Sequence, residues 1–330
     1  MLIALLQNAE TIPAIFSQKV LDKLETFGEV RLNDGDDSDE QVKKVIKDAD
    51  IAITSWGNGL LTRDILDEAP RLKLVAHAAG SVKPVVTDDI WARGIRVFSS
   101  AKPLGHGVAD TALGFTISAL KNFYMLSVDC HNGGWIIESE EKNVTDLFDI
   151  TIGVIGAGWA GSHYISLLRN FYAEILLYDP YVTKEKAARM GACKVELEEL
   201  LRRSDLVSIH APSIPETDNM INAGTLKLMK KDAVLINTAR GSIINEADLY
   251  EHMAKGNLKY ACLDVFKPEP PAPDHPLRSL PNVIITPHIA GLSDNGRRRI
   301  GLHVANEIEN FLNGKPMETE VTQEMLNKMA

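Results

Sequence analysis

Two α/β domains, each a doubly wound parallel sheet, are predicted by three features of the chain. Short apolar runs alternate with helix-length amphipathic stretches along nearly all 330 residues, the pattern of βαβ units. The length suits about two domains of ordinary size, ~100–200 residues each. Near the middle, the β-branched run Thr151 to Ile155 breaks into a glycine-rich turn that an apolar helix-like segment follows, the strand–turn–helix step of an open α/β sheet.

Composition sets the outer bounds. The chain is 45% hydrophobic and 24% charged, ordinary for a globular protein with a sizeable core. Its net charge of −10, with no block of Lys and Arg, argues against a nucleic-acid partner. Cys130, Cys193 and Cys262 show no C-x-x-C spacing and predict reduced thiols in a cytoplasmic setting. The start, MLIALLQNAETIPAIF, lacks a basic n-region, and its apolar run breaks at Gln7 and Asn8. A buried first strand is the better reading than a signal peptide. No apolar run approaches the ~18 residues of a membrane span.

In chain order, strands are expected at Leu2–Leu6, Glu29–Leu32, Ile51–Ser55, Leu72–Ala78 and Arg96–Ser99. Helices fall between them around Pro13–Phe27, Glu40–Asp48, Thr62–Ala69 and Asp88–Arg93. NDGDDSDE (33–40) reads as a solvated acidic loop. After the fourth strand, Ala78, Ala79, Gly80 and Ser81 are small residues at a carboxyl end, where backbone N–H groups can hold a carboxylate. A plain turn explains them equally well, and His77 and His106 nearby read as structural histidines. SSAKPLGHG (99–107) suggests a hinge through its Pro and Gly. A long apolar helix, Ala109 to Leu126, then crosses between domains towards the acidic stretch ESEEKNVTD.

The central turn reads Gly156-Ala157-Gly158-Trp159-Ala160-Gly161, and a second apolar run ends in Asp179, eighteen residues after the last glycine. Gly156 makes the tight turn, Gly158 lets the backbone approach a pyrophosphate, and Gly161 lets helix and strand pack closely. The helix start offers unpaired N–H groups and a positive dipole end. A dinucleotide site follows. A carboxylate at Asp179 binds ribose hydroxyls and repels a 2′-phosphate, which favours NAD over NADP.

Beyond Asp179, strands are expected at Lys194–Glu196, Leu206–His210, Val234–Thr238, Tyr260–Leu263 and Val283–Thr286. Helices are expected near Lys184–Met190, Glu198–Arg202, Ala223–Leu228, Glu246–Lys255 and Asn295–Leu312, with a Pro-rich loop KPEPPAPDHP (267–276). Three of these strands run into unusual polar residues: Arg240, Asp264 with Glu269 beyond it, and His288. Parallel strands present their carboxyl ends on one edge, so the four should converge where the cofactor lies. The chemistry they suit is hydride transfer to a 2-keto acid, or the reverse. Arg240 can grip a carboxylate through two parallel N–H bonds. His288 is the acid that protonates the ketone oxygen. Glu269, if in reach, favours the imidazolium and fixes one tautomer. Asp264 is expected to accept from the carboxamide or to balance the nicotinamide charge.

With these residues in view, the chain resembles the D-isomer-specific 2-hydroxyacid dehydrogenases over nearly its whole length. The most specific blocks are VLINTARGSIINEADL (234–249), LDVFKPEP (263–270) and NVIITPHIAG (282–291), with the glycine loop. The resemblance implies a flavodoxin-like substrate domain from residues 1–101 and 291–330, with a Rossmann cofactor domain, 102–290, inserted between. It carries catalytic roles onto Arg240, Glu269 and His288, and substrate contact onto Arg240 and the backbone of Ala79, Gly80 and Ser81. Cofactor contacts fall on Gly156, Gly158, Trp159, Ala160, Gly161, Asp179, Ala211, Thr217, Thr238 and Asp264. It also implies a homodimer joined through the cofactor domain, with Ala109–Leu126 as the interface candidate. Two departures stand out. Trp159-Ala160 replaces the common Arg-Ile of the glycine loop, and Val82-Lys83-Pro84 replaces an Asp-Asn pair, bringing a positive charge near the substrate loop. A catalytically weak NAD-sensing binding protein, like the corepressors that resemble this family, is the alternative reading.

Overall fold

The computed structural model describes residues 1–135 and 143–329. Its strands are β1 (Leu2–Leu5), β2 (Glu29–Leu32), β3 (Ile51–Thr54), β4 (Leu74–His77), β5 (Arg96–Ser99), β6 (Phe148–Ile155), β7 (Tyr172–Tyr178), β8 (Cys193–Lys194), β9 (Leu206–Ile209), β10 (Ala233–Asn237), β11 (Leu258–Leu263), β12 (Val283–Ile285) and β13 (Glu320–Val321). The helices are α1 (Ile12–Ile15), α2 (Gln18–Glu25), α3 (Asp39–Ile46), α4 (Arg63–Leu66), α5 (Asp88–Ala92), α6 (Ala101–Leu120), α7 (Phe123–His131), α8 (Trp159–Leu168), α9 (Lys184–Met190), α10 (Leu197–Arg203), α11 (Ala223–Leu226), α12 (Glu246–Ala254) and α13 (Asp294–Leu312). The chain divides into two compact units, Met1–Leu104 with Leu292–Ala330, and Gly105–Gly291.

In the first unit the strands lie in the order β2-β1-β3-β4-β5, all parallel, with β13 antiparallel outside β5. That is the flavodoxin-like order. The inner strands are apolar without alternation because both faces are covered. Ile3, Leu5, Ile53 and Ala76 pack under α1, α2 and the returning α13 through Ile15, Leu24, Ile300 and Val304. Leu2, Ala4, Ala52 and Val75 face Val42, Ile46, Ile65 and Ile90 of α3, α4 and α5. Gly301 lets α13 close on α1, since a Cβ there would stand 2.1 Å from the Ile15 carbonyl oxygen.

In the second unit the order is β8-β7-β6-β9-β10-β11-β12, parallel throughout. Counted from β6, this is the Rossmann order 3-2-1-4-5-6 with one strand added. One face carries α6, α8 and α9 through Ala112, Tyr164, Ile165 and Ala187. The other carries α10, α11 and α12 through Leu200, Leu226 and Leu249.

Several expectations need correction. The proposed helix Pro13–Phe27 is two helices, because Ser17 turns extended (φ −65°, ψ 159°) between α1 and α2. The expected hinge at 99–107 belongs largely to α6, which begins at Ala101. Pro103 lies in its first turn, where a missing N–H leaves no helical bond unmade. The helix drawn from Ala109 to Leu126 ends at Leu120, and left-handed Asn122 (φ 56°) starts α7. β13 was not foreseen; Arg96 anchors it with a bidentate pair to Glu320 at 2.6 and 2.7 Å. Of the acidic stretch 138–146, residues 138–142 lie outside the described residues.

Candidate active site

The glycine turn joins β6 to α8 in a form that only small residues permit. Gly156 has φ +89°, and a Cβ on it would lie 2.8 Å from the Ala211 nitrogen. A Cβ on Gly161 would lie 2.0 Å from the Gly156 carbonyl oxygen. Gly158 differs: nothing lies within 4 Å of its Cβ position. It is the N-cap of α8 and supplies no side-chain cap, which leaves room beside the helix start for a ligand. Asp179 braces this turn, accepting from Ala157 N–H and Tyr181 N–H at 2.8 Å each. A carboxylate has about four lone-pair sites, so capacity remains for hydroxyl donors. At the end of β10, the Thr238 hydroxyl is buried with no hydrogen-bond partner. An open glycine, an uncapped helix start, an acid at the next strand end and an orphaned hydroxyl fit a dinucleotide.

Four neighbouring loops on the same sheet edge make a cleft of about 340 Å³ lined by Arg240, Gly241, Ser242, Phe266, Glu269 and His288, among others. His288 Nδ1 stands 2.6 Å from Glu269 Oε2. Because an ionised carboxylate only accepts, the shared proton sits on Nδ1, and a neutral ring leaves Nε2 bare. Glu269 Oε1 in turn accepts from Phe266 N–H at 2.9 Å. Arg240 is half-buried and donates to the Ala239 carbonyl at 2.7 Å. Burial pulls its pKa below the ordinary guanidinium value, and the Glu269 charge opposes that. Gly241 brings the β10 and β11 loops together, for its Cβ would overlap the Phe266 carbonyl carbon at 2.1 Å.

Residues 113–290 match the family described as D-isomer specific 2-hydroxyacid dehydrogenase, NAD binding domain. The chain belongs to the D-isomer-specific 2-hydroxyacid dehydrogenase family. A D-3-phosphoglycerate dehydrogenase of Methanocaldococcus jannaschii is 34% identical over 93% of this chain and 59% of its own length. A glyoxylate reductase of Korarchaeum cryptofilum is 30% identical over 94% of each chain. The crystal structure of the TT0316 protein from Thermus thermophilus matches with a TM-score of 0.78 at 28% identity, over 98% of this chain and 100% of that one. The chain thus spans about three-fifths of the first of these relatives.

Within this 2-hydroxyacid dehydrogenase family member, Asp264 has a part that spacing does not reveal. It is 1% exposed and accepts from Thr286 Oγ1 at 2.5 Å, Ile289 N–H at 2.9 Å and Ala290 N–H at 2.8 Å. Its carbonyl takes the His288 N–H at 2.9 Å. These bonds hold His288 at φ +54°, a left-handed conformation that costs a non-glycine residue about 1–3 kcal/mol. Asn237 was also missed. Buried at the end of β10, it accepts from Ala239 N–H at 3.0 Å and donates to the Arg240 carbonyl at 2.9 Å, so it sets the loop that aims Arg240.

The remaining expected contacts fall as follows. Trp159 and Ala160 open α8, and Ala211 lies just beyond β9, packed under Gly156. Thr217 closes a local turn, its hydroxyl donating to Pro212 at 2.6 Å. In the first unit, Ala79, Gly80 and Ser81 follow β4, and a Cβ on Gly80 would lie 2.8 Å from Leu104 Cδ2. Lys83 donates to the Met329 carbonyl at 2.6 Å. His77 is buried on Thr54 Oγ1 at 2.9 Å, and burial lowers its pKa to about 4. His106 stacks on His163 with ring centroids 4.1 Å apart.

Proposed function

We propose that this chain is an NAD-dependent dehydrogenase acting at C2 of a 2-hydroxy or 2-keto acid of D configuration. The observation that carries the reading is the 2.6 Å bond between His288 and Glu269 in a cleft that Arg240 shares. NAD(H), held by Gly156–Gly161 and Asp179 with Thr238 and Ala211 beside them, supplies or accepts the hydride. The protein's own residues do the rest. Arg240 grips the substrate carboxylate and fixes its orientation, which matters because C2 must present one face. His288 gives the Nε2 proton to the carbonyl oxygen during reduction and takes it back in oxidation. A placed acid–base group of this kind supplies roughly 10²–10⁴ in rate. Glu269 keeps the ring in the tautomer this needs.

The relatives' names, D-3-phosphoglycerate dehydrogenase and glyoxylate reductase, bracket the substrate class as small 2-hydroxy acids. The test is NADH oxidation across a panel of 2-keto acids, followed by chiral analysis of the product. A D-2-hydroxy acid formed in proportion to NADH consumed supports the reading. NADH binding without turnover of any keto acid favours a sensing role instead.

We further propose that two copies pair through the second unit. α7 has no buried residue and presents Phe123, Tyr124 and Val128 at 55%, 49% and 44% exposure. Apolar side chains gathered on one helix mark an interaction surface more than solvent does. The free thiols of Cys130, Cys193 and Cys262 support a reducing, cytoplasmic setting.

A further inference from the structure

The carboxylate that orients His288 is itself held, and the bonds that hold it lead to a second imidazole–carboxylate pair. Phe266 N–H donates to Glu269 Oε1 at 2.9 Å, so the Phe266–Lys267 backbone determines where that carboxylate lies. The next amide, Lys267 N–H, donates to Glu246 Oε1 at 2.8 Å. The other oxygen of Glu246, Oε2, is 2.9 Å from His275 Nε2, with the histidine 18% and the glutamate 16% exposed. The His275 ring also packs edge-on against Phe266, centroids 5.7 Å apart at 78°. Its Nδ1 is buried without a hydrogen-bond partner.

Glu246 is fixed from its own side. It is the first residue of α12, whose N-cap Asn245 accepts from Asp248 N–H at 3.1 Å, and the positive helix end favours its charge. The segment that carries Glu269 has no such frame. It leaves β11 into a proline-rich loop without ladder bonds, so its amides need acceptors from elsewhere. Glu246 provides one, and His275 engages its other oxygen while bracing the Phe266 ring. Neither Glu246 nor His275 lines the cleft. They reach it through the Phe266–Lys267 backbone and the Phe266 ring.

We propose that Glu246 and His275 are a positioning pair that fixes Glu269 and, through it, the tautomer of His288. The inference rests on the reading of His288 and Glu269 as the acid–base couple. Its test uses a readout that needs no substrate: nitrogen-15 NMR of the His288 ring in the full chain, at a pH where the ring is neutral. Wild-type protein should hold the proton on Nδ1. Glu269→Gln should mix the tautomers, and Glu246→Ala should mix them in the same direction. In keto-acid reduction, Glu246→Ala should lower kcat about 10- to 100-fold, as a displaced catalytic group does, with KM and NADH affinity nearly unchanged. Glu246→Gln keeps an acceptor for Lys267 N–H and should recover most of the loss. Placed on top of Glu269→Gln, Glu246→Ala should cost little more, because both remove one linked function.

A His288 tautomer that Glu269→Gln shifts and Glu246→Ala does not would overturn the inference and leave the proposed function standing. So would a full additive loss in the double variant. A tautomer that Glu269→Gln leaves unmoved, with no keto acid reduced, would overturn the proposed function and this inference together. Should Glu246→Ala fail to fold, His275→Phe keeps the ring contact and removes the donor. The expected result is then a smaller loss, again absent on the Glu269→Gln background; an additive loss overturns the inference.

Discussion

His288, the proposed acid–base residue, sits on a strained backbone, and Asp264 is what keeps it there. With φ at +54°, the residue persists only because three donors from the Thr286–Ala290 stretch converge on one buried carboxylate. Asp264→Asn presents an NH₂ where an N–H must be accepted, so it should lower the melting temperature by several degrees and kcat at least tenfold. Thermal melts and steady-state rates on one preparation check both. Asn237→Ala should act on Arg240 in the same indirect way, raising KM for the keto acid while NADH affinity holds. Arg240→Lys should fail more severely, because an ammonium cannot reproduce the planar fork. At this scale the sequence was most legible where a strand ran into a charged side chain, as at Arg240 and His288. Asp264 was seen for its position and assigned a different partner, and Asn237 was passed over. Both act on backbone amides brought near by folding, and no spacing encodes those.

The glycine turn shows an element whose sequence and shape agree closely. Gly161→Ala would press a methyl onto the Gly156 carbonyl at 2.0 Å, and overpacking of that kind costs typically 1–3 kcal/mol. It should weaken NADH binding as well, measured by nicotinamide fluorescence, because the turn and the start of α8 move together. Gly158→Ala meets no protein atom, so it should leave the melting temperature nearly unchanged and weaken NADH alone. Equal effects at the two glycines would contradict that division. α6 was harder to read. Pro103, Gly105 and Gly107 suggest a break in sequence, yet a proline is tolerated in a first turn. Gly105 has a packing reason too, since its Cβ would lie 2.9 Å from the Ala160 nitrogen. β13 escaped notice because two residues carry no periodicity; its place depends on Arg96 from far upstream.

For the whole molecule, each unit keeps one buried neutral histidine, and these tie stability to pH. Burial lowers His77 from 6.5 to about 4 and His210 from 6.5 to about 3. Below pH 6.5 the unfolded chain binds the protons these rings refuse, so stability is complete above that pH and declines as pH falls towards 4. The slope approaches ~1.4 kcal/mol per pH unit for each ring. Urea unfolding at pH 7 and pH 5 should show the loss, and His77→Gln should reduce it. Parallel α/β sheets were legible from alternation and the glycine turn, and the division of the first unit into two chain segments only from the family resemblance, whereas the covering of each face needed coordinates. In the proposed reaction His288, held by Glu269 and beside Arg240, performs acid–base work at a carbonyl whose carbon receives hydride. Rapid-mixing oxidation of NADH by a 2-keto acid, in wild-type protein and in His288→Ala, tests it most directly. The variant's rate is expected to be roughly 10²–10⁴ lower, with NADH affinity within a few-fold of wild type. Equal rates in the two proteins would contradict it.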